Sequence, residues 1–307
     1  MDSLNMKKLS VWISSMRLRT LPLSISGIIV ASCLAEYNGH FKWGIFVLAI
    51  LTTLSLQILS NLANDYGDGV KGTDNEDRIG PERAIQSGKL TPDEMFNAIK
   101  INVLISIGLA FSLIFLSFGV RHFLLTLTFF VLGILSIVSA IKYTVGGNAY
   151  GYRGLGDIYV FIFFGLISVC GCYVLYAKTL DHVTFLPACT IGLLSAGVLN
   201  LNNMRDIESD EKAEKRTLAV KLGKNRIKKY HYTLVVLAII LSALFGVLYY
   251  TSPYNLIFVV AYVPLVLHLI RVSKNKEPRL LDPELKKLAL TTVLLAVLLG
   301  IGHLLPF

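Results

Sequence analysis

The sequence predicts an all-α fold, a polytopic membrane bundle of nine transmembrane helices around a central cavity open to the cytoplasmic side. Composition, apolar windows and the placement of positive charge predict it. Of 307 residues, 54% are hydrophobic and only 16% charged, with mean hydropathy +0.63; a soluble domain is usually about 45–50% apolar and about 25% charged. A soluble chain of this length needs more polar surface than that, so lipid must cover much of the exterior.

The windows are 21–36, 43–61, 101–120, 123–143, 155–177, 183–204, 232–250, 254–270 and 288–304. Helices of roughly 17–25 apolar residues cross the hydrocarbon core. Each window is continuously apolar rather than alternating, which argues against a β-barrel. The first is short and carries Pro22, with Trp12 and Ile13 as an interfacial lead-in. Val30-Ala31-Ser32-Cys33 looks like a lipoprotein processing site, but eight further spans argue for a retained helix. Cys33, Cys170, Cys172 and Cys189 all fall inside apolar windows and read as packing residues rather than a disulfide framework.

With nine helices, alternate loops belong to alternate sides. The N-terminus and the loops after the second, fourth, sixth and eighth helices then hold all but three of the 29 lysines and arginines; Lys42, Arg121 and Lys178 are the exceptions. The positive-inside rule places that side in the cytoplasm. The formal charge of +9 is thus accounted for by membrane orientation, and nucleic acid is not an expected partner. The chain reads as one domain, 1–307, whose long polar cytoplasmic loops (about 62–95, 142–157 and 204–230) are where function belongs.

Two of those loops open on acidic clusters. Asn61, Asn64, Asp65 and Asp68 are spaced i, i+3, i+4, i+7, so one helical face presents two amides and two carboxylates, with Asp74 just beyond. Asn202, Asp206 and Asp210 form a second stripe at i, i+4, i+8. Both clusters end an even-numbered helix, so both emerge on the same face of the membrane. Carboxylates near membrane depth are costly, and a divalent cation removes their mutual repulsion. Oxygen donors with no His or Cys nearby suit Mg²⁺ shared with a phosphorylated substrate. Lys71, Arg78 and Arg83 follow the first cluster; Arg205, Lys212, Lys215 and Arg216 surround the second. Together they would neutralise a diphosphate leaving group, although positive-inside anchoring also supplies loop cations.

The loop from Lys142 to Asp157 carries glycines and Tyr143, Tyr150, Tyr152 and Arg153. These tyrosines read either as stacking groups for an aromatic acceptor or as an interfacial belt. Asp157 reads either as an acidic site residue or as a partner for the helix dipole. The six histidines show no ligand spacing.

These residues resemble the UbiA superfamily of intramembrane prenyltransferases. The match runs through Asn61, Asn64, Asp65, Asp68 and Asp74, and again through Asn202, Asp206 and Asp210. Arg19-Thr20-Leu21-Pro22, Gly80-Pro81 with Arg83, Gly154-Leu155-Gly156-Asp157 and Lys215-Arg216-Thr217-Leu218-Ala219-Val220 to Leu222-Gly223 are similar to the branch that prenylates 1,4-dihydroxy-2-naphthoate. Asp157 departs from the Glu often found there. The resemblance spans about residues 17 to 223; the last three helices resemble only generic membrane segments.

The resemblance implies Mg²⁺ held by Asp65, Asp68, Asp74, Asp206 and Asp210 with Asn64 and Asn202 as ligands or supporting groups. It implies catalytic roles for Lys71 and Arg205 beside the four central aspartates. Substrate contacts would come from Asn61, Arg19, Arg78, Arg83, Tyr143, Tyr152, Arg153, Asp157, Lys215 and Arg216. The implied partners are polyprenyl diphosphate, 1,4-dihydroxy-2-naphthoate and membrane lipid. On this reading Asp65→Ala or Asp206→Ala abolishes turnover. Another acceptor such as 4-hydroxybenzoate stays open at this point. A cation-coupled transporter would place its acids at mid-helix rather than at helix ends among basic residues.

Overall fold

The computed structural model describes residues 2–18, 20–74 and 79–305, with side chains from residue 8 onward. All regular structure among them is helical. The order is α1 (Asp2–Ser15), α2 (Leu21–Tyr37), α3 (Trp43–Val70), α4 (Pro92–Phe118), α5 (Phe123–Lys142), α6 (Gly156–Ala177), α7 (His182–Arg205), α8 (Ile207–Lys212), α9 (Leu218–Leu248), α10 (Pro253–Lys274) and α11 (Pro278–Leu304). Among the described residues eight of these, α3 to α7 and α9 to α11, are long and apolar enough to span a bilayer, and α2 is the shorter apolar helix expected at residues 21–36. The chain is a multi-pass membrane protein.

Several helices outrun their apolar windows, and each extension has a local cause. Helix α4 starts at Pro92 rather than near 101. The Thr91 hydroxyl accepts from the Glu94 N–H while the Glu94 carboxylate accepts from the Thr91 N–H, and Pro92 takes the first helical position. Thr91→Ala is expected to cost about 1 kcal/mol, seen as a lower melting temperature of the detergent-solubilised protein. Helix α9 starts at Leu218, capped by the Thr217 hydroxyl accepting from the Val220 N–H, and changes direction at Gly223, where φ is +73°. Helix α3 carries its polar motif through to Val70. Gly67 lets the loop after α5 lie against it: a Cβ there would stand 2.6 Å from Thr144 Oγ1.

Helix α7 is the centre of the bundle. In its apolar window 72% of residues are buried, against none in α5. Small residues on α7 let its neighbours approach closely. A Cβ at Gly165 of α6 would lie 2.8 Å from the Gly192 Cα. The middle of α6, Phe161–Gly171, is wound as a π-helix. The main core joins α2, α6, α7, α9, α10 and α11, while a smaller one under α3 and α4 packs Leu59, Leu62, Met95 and Ile99 with Val11 and Trp12 of α1. Between the two cores lies a cavity.

The long loops gather at one end of the bundle. The Lys71 ammonium donates to the carbonyls of Thr144 (2.7 Å) and Gly146 (2.9 Å), and Lys221 donates to the carbonyl of Arg153 (2.7 Å). At the other end the Asn38 amide donates to the Tyr173 hydroxyl (2.6 Å) and the Ser252 hydroxyl to the Leu305 carbonyl (3.2 Å).

Candidate active site

The cavity measures about 380 Å³ and has two chemically different ends. Its polar end is lined by Asn61, Asn64, Asp68, Asp74 and Arg83 from the side of α3, and by Asn202, Arg205, Asp206, Asp210 and Lys215 from the side of α7 and α8. Its apolar part is lined by Ala49, Leu113, Ile114, Phe164, Ile167, Cys172 and Leu175. The two acidic motifs therefore face one space.

Lys215 joins them. Its ammonium lies 3.2 Å from an oxygen of Asp68 and 3.9 Å from an oxygen of Asp210. Burial alone would lower the pKa of this amine, but the Asp68 and Asp210 carboxylates outweigh it and hold Lys215 charged beyond the ordinary lysine range. The other Asp68 oxygen accepts from the Tyr152 hydroxyl at 2.7 Å, and Thr73 Oγ1 is 2.6 Å from the same hydroxyl. Burial first, then the nearby Asp68 charge, pushes the Tyr152 phenol above its usual range. It remains a donor.

Asp206 is held differently. Arg205 donates through Nε to one of its oxygens (2.8 Å) and through Nη2 to the other (2.7 Å). The same guanidinium reaches Asn202 Oδ1 (2.9 Å) and Asp282 Oδ1 (2.5 Å). The bidentate fork fixes both the angle and the depth of the Asp206 carboxylate. The turn between α7 and α8 falls at Asp206, yet the Asp210 N–H still donates to the Asp206 carbonyl (2.8 Å), so the three motif residues keep helical spacing.

An aromatic wall rises beside this end. Tyr150 stacks on Tyr159 with centroids 3.8 Å apart and lies edge-on to Tyr143 at 5.3 Å. All three line the cavity. Burial raises the Tyr143 and Tyr150 phenols, so both stay protonated at neutral pH.

Not every residue expected from the sequence lines the cavity. Asp65 is buried against the loop before α4, where one oxygen accepts the Ala84 N–H at 3.4 Å, and it is absent from the cavity wall. Lys71 is exposed and tied to the Thr144 and Gly146 carbonyls, with the Tyr152 ring 4.1 Å from its ammonium. Tyr152 is not on the cavity wall but touches three residues that are, Asp68, Thr73 and Lys215. Arg153 and Arg216 are exposed, and Asp157 is buried in the first turn of α6; none of the three lines the cavity. Asn61 lines it, but its amide donates to the Met16 carbonyl (2.9 Å), anchoring the segment before α2. Arg83 lines it too, 3.8 Å from Asp74. Arg19 and Arg78 lie outside the described residues.

The sequence reading also missed lining groups. Arg17, Gln57, Ser60, Tyr159, Asn203 and Ser209 are on the wall. Ser60 and Gln57 continue the Asn64–Asp68 stripe one and two turns back, a signal present in the sequence. Nothing local marks Asp282.

Among the described residues no group of three or more His, Cys, Asp or Glu side chains is placed to enclose a metal alone. The donors present at the polar end, the Asp68, Asp206 and Asp210 carboxylates with the Asn64 and Asn202 amide oxygens, suit Mg²⁺, which is commonly held by one or two carboxylates with the remaining positions left to water and substrate phosphates. Asp68 and Asp210 already share a cation, the Lys215 ammonium.

The model of the UbiA prenyltransferase family matches residues 25–294. The 1,4-dihydroxy-2-naphthoate octaprenyltransferase of Escherichia coli is 42% identical over 302 residues, which is 97% of this chain and 97% of the relative. An apo UbiA homologue from Aeropyrum pernix K1 superposes with a TM-score of 0.68 at 15% identity, covering 92% of this chain and 96% of that one. A UbiA homologue from Archaeoglobus fulgidus bound to GPP and Mg²⁺ gives 0.63 at 15% identity, covering 97% and 99%. At these identities the two structures speak for the fold alone.

Proposed function

This chain belongs to the UbiA prenyltransferase family, and from that premise we propose that it moves a polyprenyl chain from polyprenyl diphosphate onto 1,4-dihydroxy-2-naphthoate, with loss of CO₂ and diphosphate, giving demethylmenaquinol, the hydroquinone form of demethylmenaquinone. The observation that carries this is the cavity itself, where one end offers carboxylates, amides and cations and the rest offers apolar wall. A diphosphate ester of a long isoprenoid needs both in one continuous space. The relatives point the same way, through an E. coli octaprenyltransferase for this acceptor at 42% identity.

Asp68, Asp206 and Asp210, with Asn64 and Asn202, are the groups that would hold Mg²⁺. The ion would neutralise the diphosphate and so ease departure of that group from the allylic carbon. Lys215 adds a fixed positive charge where the leaving group gathers negative charge. As the allylic C–O bond breaks, the electron-rich ring forms the new C–C bond and its carboxylate leaves as CO₂. The faces of Tyr143, Tyr150 and Tyr159 suit stacking of the acceptor and stabilisation of allylic positive charge. The concentration of lysine and arginine on one side of the bundle supports a cytoplasmic active-site end. Wall residues running from Arg17 to Leu285 support a single catalytic domain over 1–307.

The test uses purified protein in lipid nanodiscs with labelled prenyl diphosphate, Mg²⁺, and either dihydroxynaphthoate or 4-hydroxybenzoate. Label is expected in a lipid-soluble product with dihydroxynaphthoate alone, and EDTA is expected to stop its formation. Transfer to 4-hydroxybenzoate instead would replace the acceptor assignment. Full activity in EDTA would remove the metal.

A further inference from the structure

The structure assigns a positioning role to Asp282, at the start of α11: through Arg205 it holds the second acidic motif open to the metal. The inference rests on the Mg²⁺–diphosphate reading above. Asp282 is 77 residues from Arg205 in sequence, on a helix whose sequence looks like an ordinary span, and its carboxylate meets Arg205 Nη1 at 2.5 Å. Arg205 itself is almost wholly buried, with its side chain 1% exposed. Its remaining contacts all run to the motif, Nε and Nη2 to Asp206 and Nη2 to Asn202. One guanidinium thus divides its charge between a metal-facing carboxylate and a carboxylate set back from it.

That division has a consequence for Asp206. Without Asp282, the whole charge of Arg205 would bear on Asp206, lowering its affinity for a cation, and the fork would lose its anchor on the far side. With Asp282 in place the fork is held from behind. The hook is itself fixed. Two residues along α11, Glu284 accepts from Lys287 (2.6 Å) and pairs with His268 of α10 (2.9 Å), and His268 meets His231 of α9 at 2.9 Å between ring nitrogens. The start of α11 is therefore pinned to α9 and α10 independently of Arg205. Partners that orient metal ligands typically change metal affinity 10- to 100-fold when removed.

The experiment measures binding of the unreactive analogue farnesyl thiodiphosphate to nanodisc-embedded protein across a Mg²⁺ titration, with no acceptor present. Asp282→Asn is nearly isosteric at a site 32% exposed. It is expected to raise the Mg²⁺ concentration for half-maximal analogue binding about tenfold or more, and Asp282→Glu is expected to restore most of the difference. Thermal melting of each variant tracks folding, and Asp282→Ser is read in the same way should Asp282→Asn not purify folded. An unchanged Mg²⁺ requirement in the folded variants would overturn the inference, as would a fall in melting temperature alone. Wild-type binding that ignores Mg²⁺ would overturn both the metal reading and this one. Mg²⁺-dependent analogue binding without turnover of dihydroxynaphthoate would fault the acceptor assignment, while the Asp282 effect would still be read and would still decide the inference.

Discussion

Asp68→Ala is expected to lower kcat/KM about 10³-fold or more, whereas Asp65→Ala lowers it no more than about tenfold and acts mainly on stability. The two aspartates are three residues apart on α3, yet only Asp68 faces the cavity. It takes the Lys215 ammonium on one oxygen and the Tyr152 hydroxyl on the other. On the proposed function its removal takes a ligand from Mg²⁺, and it leaves Lys215 with Asp210 as its one carboxylate partner among the described residues. Loss of one preorganised electrostatic contact costs about 10²–10³ in rate, and loss of a metal-binding carboxylate should exceed that. A thousandfold loss corresponds to roughly 4 kcal/mol of transition-state stabilisation. Asp65 instead meets the Ala84 N–H from within a buried pocket. Its removal leaves that donor unsatisfied, at about 1–3 kcal/mol. Steady-state kinetics and melting temperatures on the two variants separate the roles. Equal losses of turnover would show that the first motif works as a four-residue face after all.

The difference between these aspartates was readable in part. Spacing of i, i+3, i+4, i+7 selects a stripe, but a stripe of four residues has no sharp edge. At 3.6 residues per turn, Asp65 lies about 100° round the helix from Asn64, while Asp68 lies about 40° from it. Extending the stripe backward through Ser60 and Gln57, both polar in an apolar helix, moves its centre away from Asp65. The apolar windows and the sided charge gave the bundle and its loops because lipid imposes those patterns directly. Helix starts at Pro92 and Leu218 were carried by Thr91 with Glu94 and by Thr217, cap signals that hydropathy windows do not register. The contact between Arg205 and Asp282 has no such local trace. It depends on how α11 returns past α7, which tertiary packing decides. Arg205 accordingly read as a cation available to the leaving group, while in the folded chain its donors are committed to Asp206, Asn202 and Asp282.

Lys215→Gln is expected to produce an opposed pair of effects, tighter Mg²⁺ binding in the absence of substrate and turnover lowered about 10²–10³-fold. In the structure the Lys215 ammonium stands between the two motifs. Two unit charges about 4 Å apart attract by roughly 4 kcal/mol at an effective dielectric of 20; desolvation of the buried amine offsets part of this. An ion entering between Asp68 and Asp210 must compete with that attraction, so a neutral side chain favours the ion. Once a diphosphate is present the balance reverses, because the same ammonium becomes a donor to the departing anion and glutamine supplies no charge. The lysine stays protonated through the neutral range, since Asp68 and Asp210 outweigh the burial that would strip it. Lys215→Arg should therefore keep most of the charge effect and lose part of the geometry, giving an intermediate rate. Isothermal titration with Mg²⁺ and steady-state turnover on the same preparations decide the matter. Weaker Mg²⁺ binding in Lys215→Gln would mean that the lysine organises the carboxylates rather than competing for them. Unchanged turnover would mean that the leaving group is neutralised without it.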